Sequence, residues 1–194
     1  MRTLSKMRKL AVAAALLAGL QLSVLAAYHV VRWWRAPATA TARFEGEPLS
    51  GADRAPDFTA QREGGAAASF AWPAPRPRLV HFWGTWCEPC RYELRTLIPL
   101  AQAAAAELDV IAVAVGDTWQ DISRFFAGRI PPQVVLAGDD AHKRFGVSTL
   151  PDTYLVDASG ALVARFHGPR EWHVPGVLEY LRTQLAHGPT AARP

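Results

Sequence analysis

Two cysteines stand three positions apart in Trp86-Cys87-Glu88-Pro89-Cys90, and they are the only two in the 194 residues. They follow a short apolar run, Leu79-Val80-His81-Phe82-Trp83, through the turn residues Gly84-Thr85, and they open a stretch with helical periodicity. Thiols at this spacing on the first turn of a helix can close a small disulfide ring. The first of them lies where unpaired backbone N–H groups and the helix dipole favour a thiolate. Cys87 is therefore the natural attacker of another disulfide, and Cys90, one turn deeper, is better placed to resolve the mixed disulfide that results. Pro89 stiffens the turn between them. Other readings of the pair stay open. Zinc needs two further ligands, and His81, His142, His167 and His173 show no paired spacing to supply them. A structural bridge over so short a loop restricts little chain entropy, and an inert buried pair of thiols is the third possibility. A multi-bridge scaffold is excluded by the cysteine count alone.

Such a pair needs a strand, a turn and a helix to hold it. The run Leu79–Trp83, bounded by turn residues, predicts a strand buried on both faces. A helix is predicted from Cys87 to Glu107, with Leu94, Leu97, Ile98 and Leu108 on one side and a kink or break at Pro99. Asp109–Val115 predicts a second buried strand. Thr118–Ala127 predicts a helix with Ile122, Phe125 and Phe126 on one face, stopped by Gly128 and Pro131-Pro132. A short strand at Gln133–Leu136 and one helical turn at Ala141–Phe145 follow. Thr153–Val156 and Ala161–Phe166 flank Asp157-Ala158-Ser159-Gly160 as a hairpin. The closing helix, Pro175–His187, carries Val177, Leu178, Leu181 and Leu185 at helical spacing. Upstream, Asp57–Phe70 alternates weakly around Gly64-Gly65 as a short hairpin would, and the prolines between Trp72 and Pro77 forbid regular structure. The order β-α-β-α-β, then hairpin, then helix requires crossovers and parallel pairing first and antiparallel strands last. That is an α/β domain with one mixed sheet and helices on both faces.

At 50% hydrophobic residues the chain can bury the core of one ordinary domain, with a segment to spare. Its net charge of +4 comes from 21 bases against 17 acids. Six of the bases, Arg2, Lys6, Arg8, Lys9, Arg32 and Arg35, lie in the first 36 residues without any acid, which leaves 15 against 17 in the remainder. The basic character thus belongs to one end, and a nucleic-acid-binding domain is not implied. Leu10–Val31 runs 22 residues without a formal charge. As a helix it would span roughly 33 Å, enough for the hydrocarbon core of a bilayer. The excess of basic residues before it favours a cytoplasmic N-terminus and an exported remainder, and Trp33-Trp34 suits a membrane interface. A cleaved signal peptide, with small residues at Val24-Leu25-Ala26, is the competing reading. The expected organisation is a basic cytoplasmic end over 1–9, a transmembrane anchor over 10–31, a linker over 32–56, the α/β domain over 57–187 and a tail over 188–194.

The strand, Trp-Cys-Glu-Pro-Cys, helix arrangement, with Leu150-Pro151 directly before a later strand, resembles the thioredoxin fold. The wording Phe82–Glu93 and Gly146–Asp157 is similar to the membrane-anchored TlpA/ResA/CcmG thiol-disulfide oxidoreductases. The resemblance covers about residues 56 to 187. It implies a periplasmic or otherwise extracytoplasmic domain on a single-pass inner-membrane anchor, with no cofactor beyond a redox-active Cys87–Cys90 disulfide and no metal. It implies that Pro151 is a cis-proline whose loop, with Leu150 and Trp86, holds the substrate chain. Implied partners are client proteins with disulfides, apocytochrome c foremost, and a membrane thiol-reductant relay of the DsbD/CcdA type. Glu93, three residues after Cys90, tunes the thiols in that family. A buried carboxylate beside a thiol disfavours a second negative charge and can carry a proton, although a solvated Glu93 paired with Arg91 or Arg95 fits the spacing too. Glu88 is expected to be exposed and to oppose thiolate formation weakly. His81 stands where thioredoxin has a buried Asp; it is expected to be a core histidine satisfied by backbone, or, if it approaches Cys87, a proton carrier. Asp117 either borders the cleft or caps the helix that begins near Thr118. The same fold could instead donate disulfides, protect against copper stress, or bind peptide or metal without catalysis. Peroxidase chemistry is disfavoured, because Pro-x-x-x-Thr-x-x-Cys is absent around Cys87.

Overall fold

The structure, a computed structural model, describes residues 19, 21, 23–25, 44–50, 53–138 and 140–188. The chain divides into two compact units, Met1–Ala42 and Arg43–Pro194. In the first, the described residues are helical and Ser23 Oγ donates to the Gly19 carbonyl at 2.9 Å. The remainder of the expected anchor over 10–31, the basic end 1–9 and all of the tail beyond 188 lie outside the described residues. Among the described residues no helix is long and apolar enough to cross a membrane.

The second unit is built on one mixed sheet of eight strands. They are β1 (Glu47–Pro48), β2 (Phe58–Gln61), β3 (Ala67–Phe70), β4 (Arg78–Trp83), β5 (Asp109–Ala114), β6 (Val134–Ala137), β7 (Asp152–Val156) and β8 (Leu162–His167). The order across the sheet is β1-β8-β7-β4-β5-β6-β2-β3. Its middle, β4-β5-β6, is parallel, and β7 and β8 add antiparallel to β4. The helices are α1 (Glu88–Ala103), α2 (Trp119–Phe125), α3 (Ala141–Arg144) and α4 (Val177–His187). β4 is central, and Leu79, Val80, His81, Phe82 and Trp83 are all fully buried. Successive side chains of a strand point to opposite faces. Leu79 and Trp83 accordingly pack with Leu94, Leu97, Ile122 and Leu181 of α1, α2 and α4, whereas Val80 and Phe82 pack with Phe58, Phe70 and Phe145 on the other face. The mixed sheet with helices on both faces is as expected from the order of elements.

Three of the differences from the expected boundaries have a clear local cause. α1 stops at Ala103, where the chain turns through Leu108 N–H to the Ala104 carbonyl, and it runs through Pro99 without interruption. Pro99 sits on the exposed side, so its missing N–H opens the helix only toward water. α2 begins at Trp119 because Thr118 and Asp121 form a reciprocal cap. The reading of 32–56 as linker is corrected over its second half. Glu47 and Pro48 pair with Arg165 and Ala164 of β8, Leu49 N–H reaches the Val163 carbonyl, and Phe44 is buried between Phe166, Trp172 and Tyr180. An Ala-, Pro- and Gly-rich stretch without periodicity can still supply one aromatic anchor and two strand residues to an open edge.

Candidate active site

The turn leaving β4 is held by the loop after β5. Thr85 donates its backbone N–H to Asp117 Oδ2 at 2.8 Å and its hydroxyl to Asp117 Oδ1 at 2.5 Å, and Trp86 Nε1 donates to the Val115 carbonyl at 3.0 Å. Gly84 is required by that ring: a Cβ there would stand 2.7 Å from Trp86 Nε1. Asp117 is therefore neither free nor the cap of α2. Replacing it with alanine would leave the Thr85 N–H without its acceptor, at a cost of about 1–3 kcal/mol. Urea unfolding of oxidised Asp117→Ala should read a loss in that range, and an unchanged midpoint would show that the turn is held by other contacts.

Cys87 caps the N-terminus of α1, its sulfur accepting from Cys90 N–H at 3.4 Å, and Pro89 occupies the first turn. The two sulfurs are bonded to each other. Cys87 keeps 7% of its surface exposed and Cys90 none, so an incoming sulfur reaches Cys87 first. Trp86 stands out into solvent beside them, as does Glu88.

Behind the disulfide lies a polar cluster inside an otherwise apolar face. Glu93, one turn past Cys90, is 2% exposed and accepts from Trp172 Nε1 at 2.5 Å. Pairing with Arg91 or Arg95 is thereby excluded. His81 Nδ1 lies 2.8 Å from Thr153 Oγ1, directly across the β4–β7 ladder, and 3.9 Å from Glu93 Oε1. His81 is thus met by a side-chain hydroxyl, where a backbone partner was expected. At 3.9 Å the imidazole and carboxyl are close enough for an ion pair, yet burial works against both charges. It pushes Glu93 up to about 8, against the smaller opposing pull of the Trp172 bond and of Arg170, and it pushes His81 down to about 3. At neutral pH the proton therefore sits on the carboxyl and the imidazole is neutral. Glu93 Oε2 and His81 Nε2 have no partner among the described residues.

The Leu150–Pro151 bond is cis and Pro151 is buried. Phe82 pairs with Asp152, so Pro151 lies at the end of β4 from which the Cys87 turn departs. The Pro151 carbonyl accepts from Gly168 N–H at 3.0 Å, Thr149 Oγ1 meets His167 Nε2 at 3.1 Å, and Asp152 is held by Arg165. Sequence reasoning missed Trp172 and Thr153. Trp172 lies in the polar run Arg170-Glu171-Trp172-His173, where nothing local marks a partner 79 residues from Glu93.

The profile of the AhpC/TSA family matches residues 52–165. The thiol:disulfide interchange protein HelX of Rhodobacter capsulatus is 35% identical over 95 residues, covering 47% of this chain and 52% of that protein. The DsbE homologue of Paracoccus denitrificans is 34% identical over 117 residues, covering 58% and 63%. The chain thus spans about half, and less than two thirds, of the length of these curated relatives. A putative thiol:disulfide interchange protein DsbE from Chlorobium tepidum superposes with a TM-score of 0.56 at 25% identity, over 70% of this chain and 94% of that one. A thioredoxin-like sheet that presents a cysteine pair at a helix tip, the family profile and these named relatives agree: the chain belongs to the AhpC/TSA family.

Proposed function

We propose that the protein is a thiol-disulfide oxidoreductase, anchored in the cytoplasmic membrane by residues 10–31, that reduces disulfides of exported client proteins. The observation that carries this reading is the half-open disulfide at the tip of α1 with a buried, proton-bearing Glu93 one turn behind it. In the reduced state the Cys87 thiolate attacks a client disulfide, forming a Cys87–client bond and releasing one client sulfur as a thiolate that takes a proton from water. Cys90 then gives its proton to the carboxylate form of Glu93 and attacks Cys87 Sγ. The second client sulfur leaves as a thiolate, the client gains two electrons, and the Cys87–Cys90 disulfide is restored. Pro151, Leu150 and Trp86 border the path of the client chain.

Reduction is favoured over disulfide donation by the electrostatics. A strong oxidant stabilises its thiolate. Here His81 is held neutral, so it offers no positive charge, and Glu93 adds negative charge when it ionises. The couple should lie well below about −200 mV. An exported reductant needs an external source of electrons, for which a membrane relay of the DsbD/CcdA type fits, with apocytochrome c as the leading client. Cells producing Cys90→Ser should accumulate client proteins disulfide-linked to Cys87, released by dithiothreitol. Recovering no adduct, with Cys87 shown to react with a maleimide, would remove this function.

A further inference from the structure

Between α1 and α2 runs a groove of about 810 Å³ that takes in Thr85, two residues before Cys87, and so is continuous with the active-site turn. Its walls are apolar, from Ile98 on α1 and Phe125 and Phe126 at the end of α2, and its polar lining is dominated by Arg91, Arg95 and Arg124. Asp121 is the one carboxylate among the described lining residues, and Arg124 and Thr118 already engage it, at 3.1 and 2.6 Å. Arg91 and Arg95 contact no carboxylate among the described residues. Each is instead spread over an aromatic ring, Arg91 over Phe125 at 5.7 Å and Arg95 over Tyr92 at 5.5 Å. A cation–π contact of this kind does not neutralise the guanidinium, whose N–H groups can still pair with a carboxylate. Two cations without a carboxylate partner among the described residues therefore stand one and five residues past Cys90, beside the apolar walls of the groove. Glu93, the acid between them in sequence, is turned inward and does not cancel them.

We propose that this groove binds an extended acidic segment of the client, adjoining the disulfide to be reduced. Its carboxylates meet Arg91 and Arg95, and its apolar side chains rest on Ile98, Phe125 and Phe126. The identity of the occupant as client rests on the proposed function; the binding chemistry does not. An anionic bilayer presents a broad surface, whereas these groups line a recess between two helices, so an extended peptide is the better fit.

The test uses two redox-inert peptides, with serine for cysteine, that share an apolar core and differ in carrying Asp and Glu or Lys in the flanks. Fluorescence anisotropy with the full chain should show the acidic peptide binding about tenfold more tightly at low salt. The gap should close at about 0.5 M NaCl, where exposed charges are screened, and invert in Arg91→Glu/Arg95→Glu. Equal affinities, or a preference that survives the charge reversal, would overturn the groove. So would loss of binding to anionic vesicles in the variant without any peptide preference. Reaction of the reduced wild-type protein with an uncharged small disulfide reports the exchange activity separately. Peptide preference without exchange removes the proposed function and leaves the groove, and exchange without preference does the reverse.

Discussion

Glutamine in place of Glu93 is expected to make the oxidised protein more stable at pH 7, by about 3 kcal/mol, and to slow the resolving step about a hundredfold. Both effects have one origin. Burial raises the carboxyl from 4.5 to about 8, so between those values the folded protein keeps a proton that the unfolded chain has lost. Stability therefore falls as pH rises through that window, by about 1.4 kcal/mol for each pH unit. A neutral amide, still able to accept from Trp172 Nε1, carries no such penalty. The two proteins should be equally stable below about pH 4.5, and the gap should widen up to pH 8. The same amide cannot take the Cys90 proton, so the wild-type rise of resolution rate toward pH 8 should be missing. Denaturant unfolding at pH 4, 7 and 8 and stopped-flow exchange over the same range read the two effects. A Glu93→Gln protein no more stable than wild type at pH 8 would mean that the buried carboxyl is ionised after all, stabilised by contacts other than those described.

A buried carboxyl that lowers stability and, on the proposed function, moves a proton leaves no mark in composition. Cys87 and Cys90 were legible because the chemistry depends on a spacing along the chain. The strand Leu79–Trp83 was legible because an apolar run between turn residues has few other uses. Glu93 was legible as a candidate, yet its spacing suited Arg91 and Arg95 as well as the interior. The choice is made by Trp172, which comes in beyond β8 with Phe44 and Phe166 packed on its ring. Thr153 is similar: it reads as one β-branched residue of a buried strand, and only the antiparallel register of β4 with β7 sets its hydroxyl opposite His81. Asp117 illustrates the converse. Local capping rules offered it to α2, but Thr118 and Asp121 satisfy that helix end between themselves and leave Asp117 to tie down Thr85. The start of the domain was misplaced for the same kind of reason. Two residues pairing with the edge of β8 leave no periodicity to find.

The neutral state of His81 has its own signature on the acid side. Burial lowers the imidazole from 6.5 to about 3, so on acidification the unfolded chain gains a proton before the folded one does, and stability is lost from pH 6.5 down to about 3. The loss amounts to about 5 kcal/mol across that window. Glu93 has the opposite slope between 4.5 and 8, and from 4.5 to 6.5 the two cancel. The wild-type profile should therefore show a plateau over that interval, falling below it because of His81 and above it because of Glu93. Removing the imidazole alone would orphan the Thr153 hydroxyl, so the informative variant is His81→Leu with Thr153→Val, which replaces the pair by apolar groups. That protein should lose the wild-type dependence between pH 4.5 and 3. Its alkaline decline should remain, because Glu93 stays buried. Unfolding curves at pH 3.5, 5.5 and 8.5 separate these limbs. An acid limb that persists unchanged in the double variant would assign it to groups other than His81 and would show that burial does not hold the imidazole below its ordinary range in the folded protein.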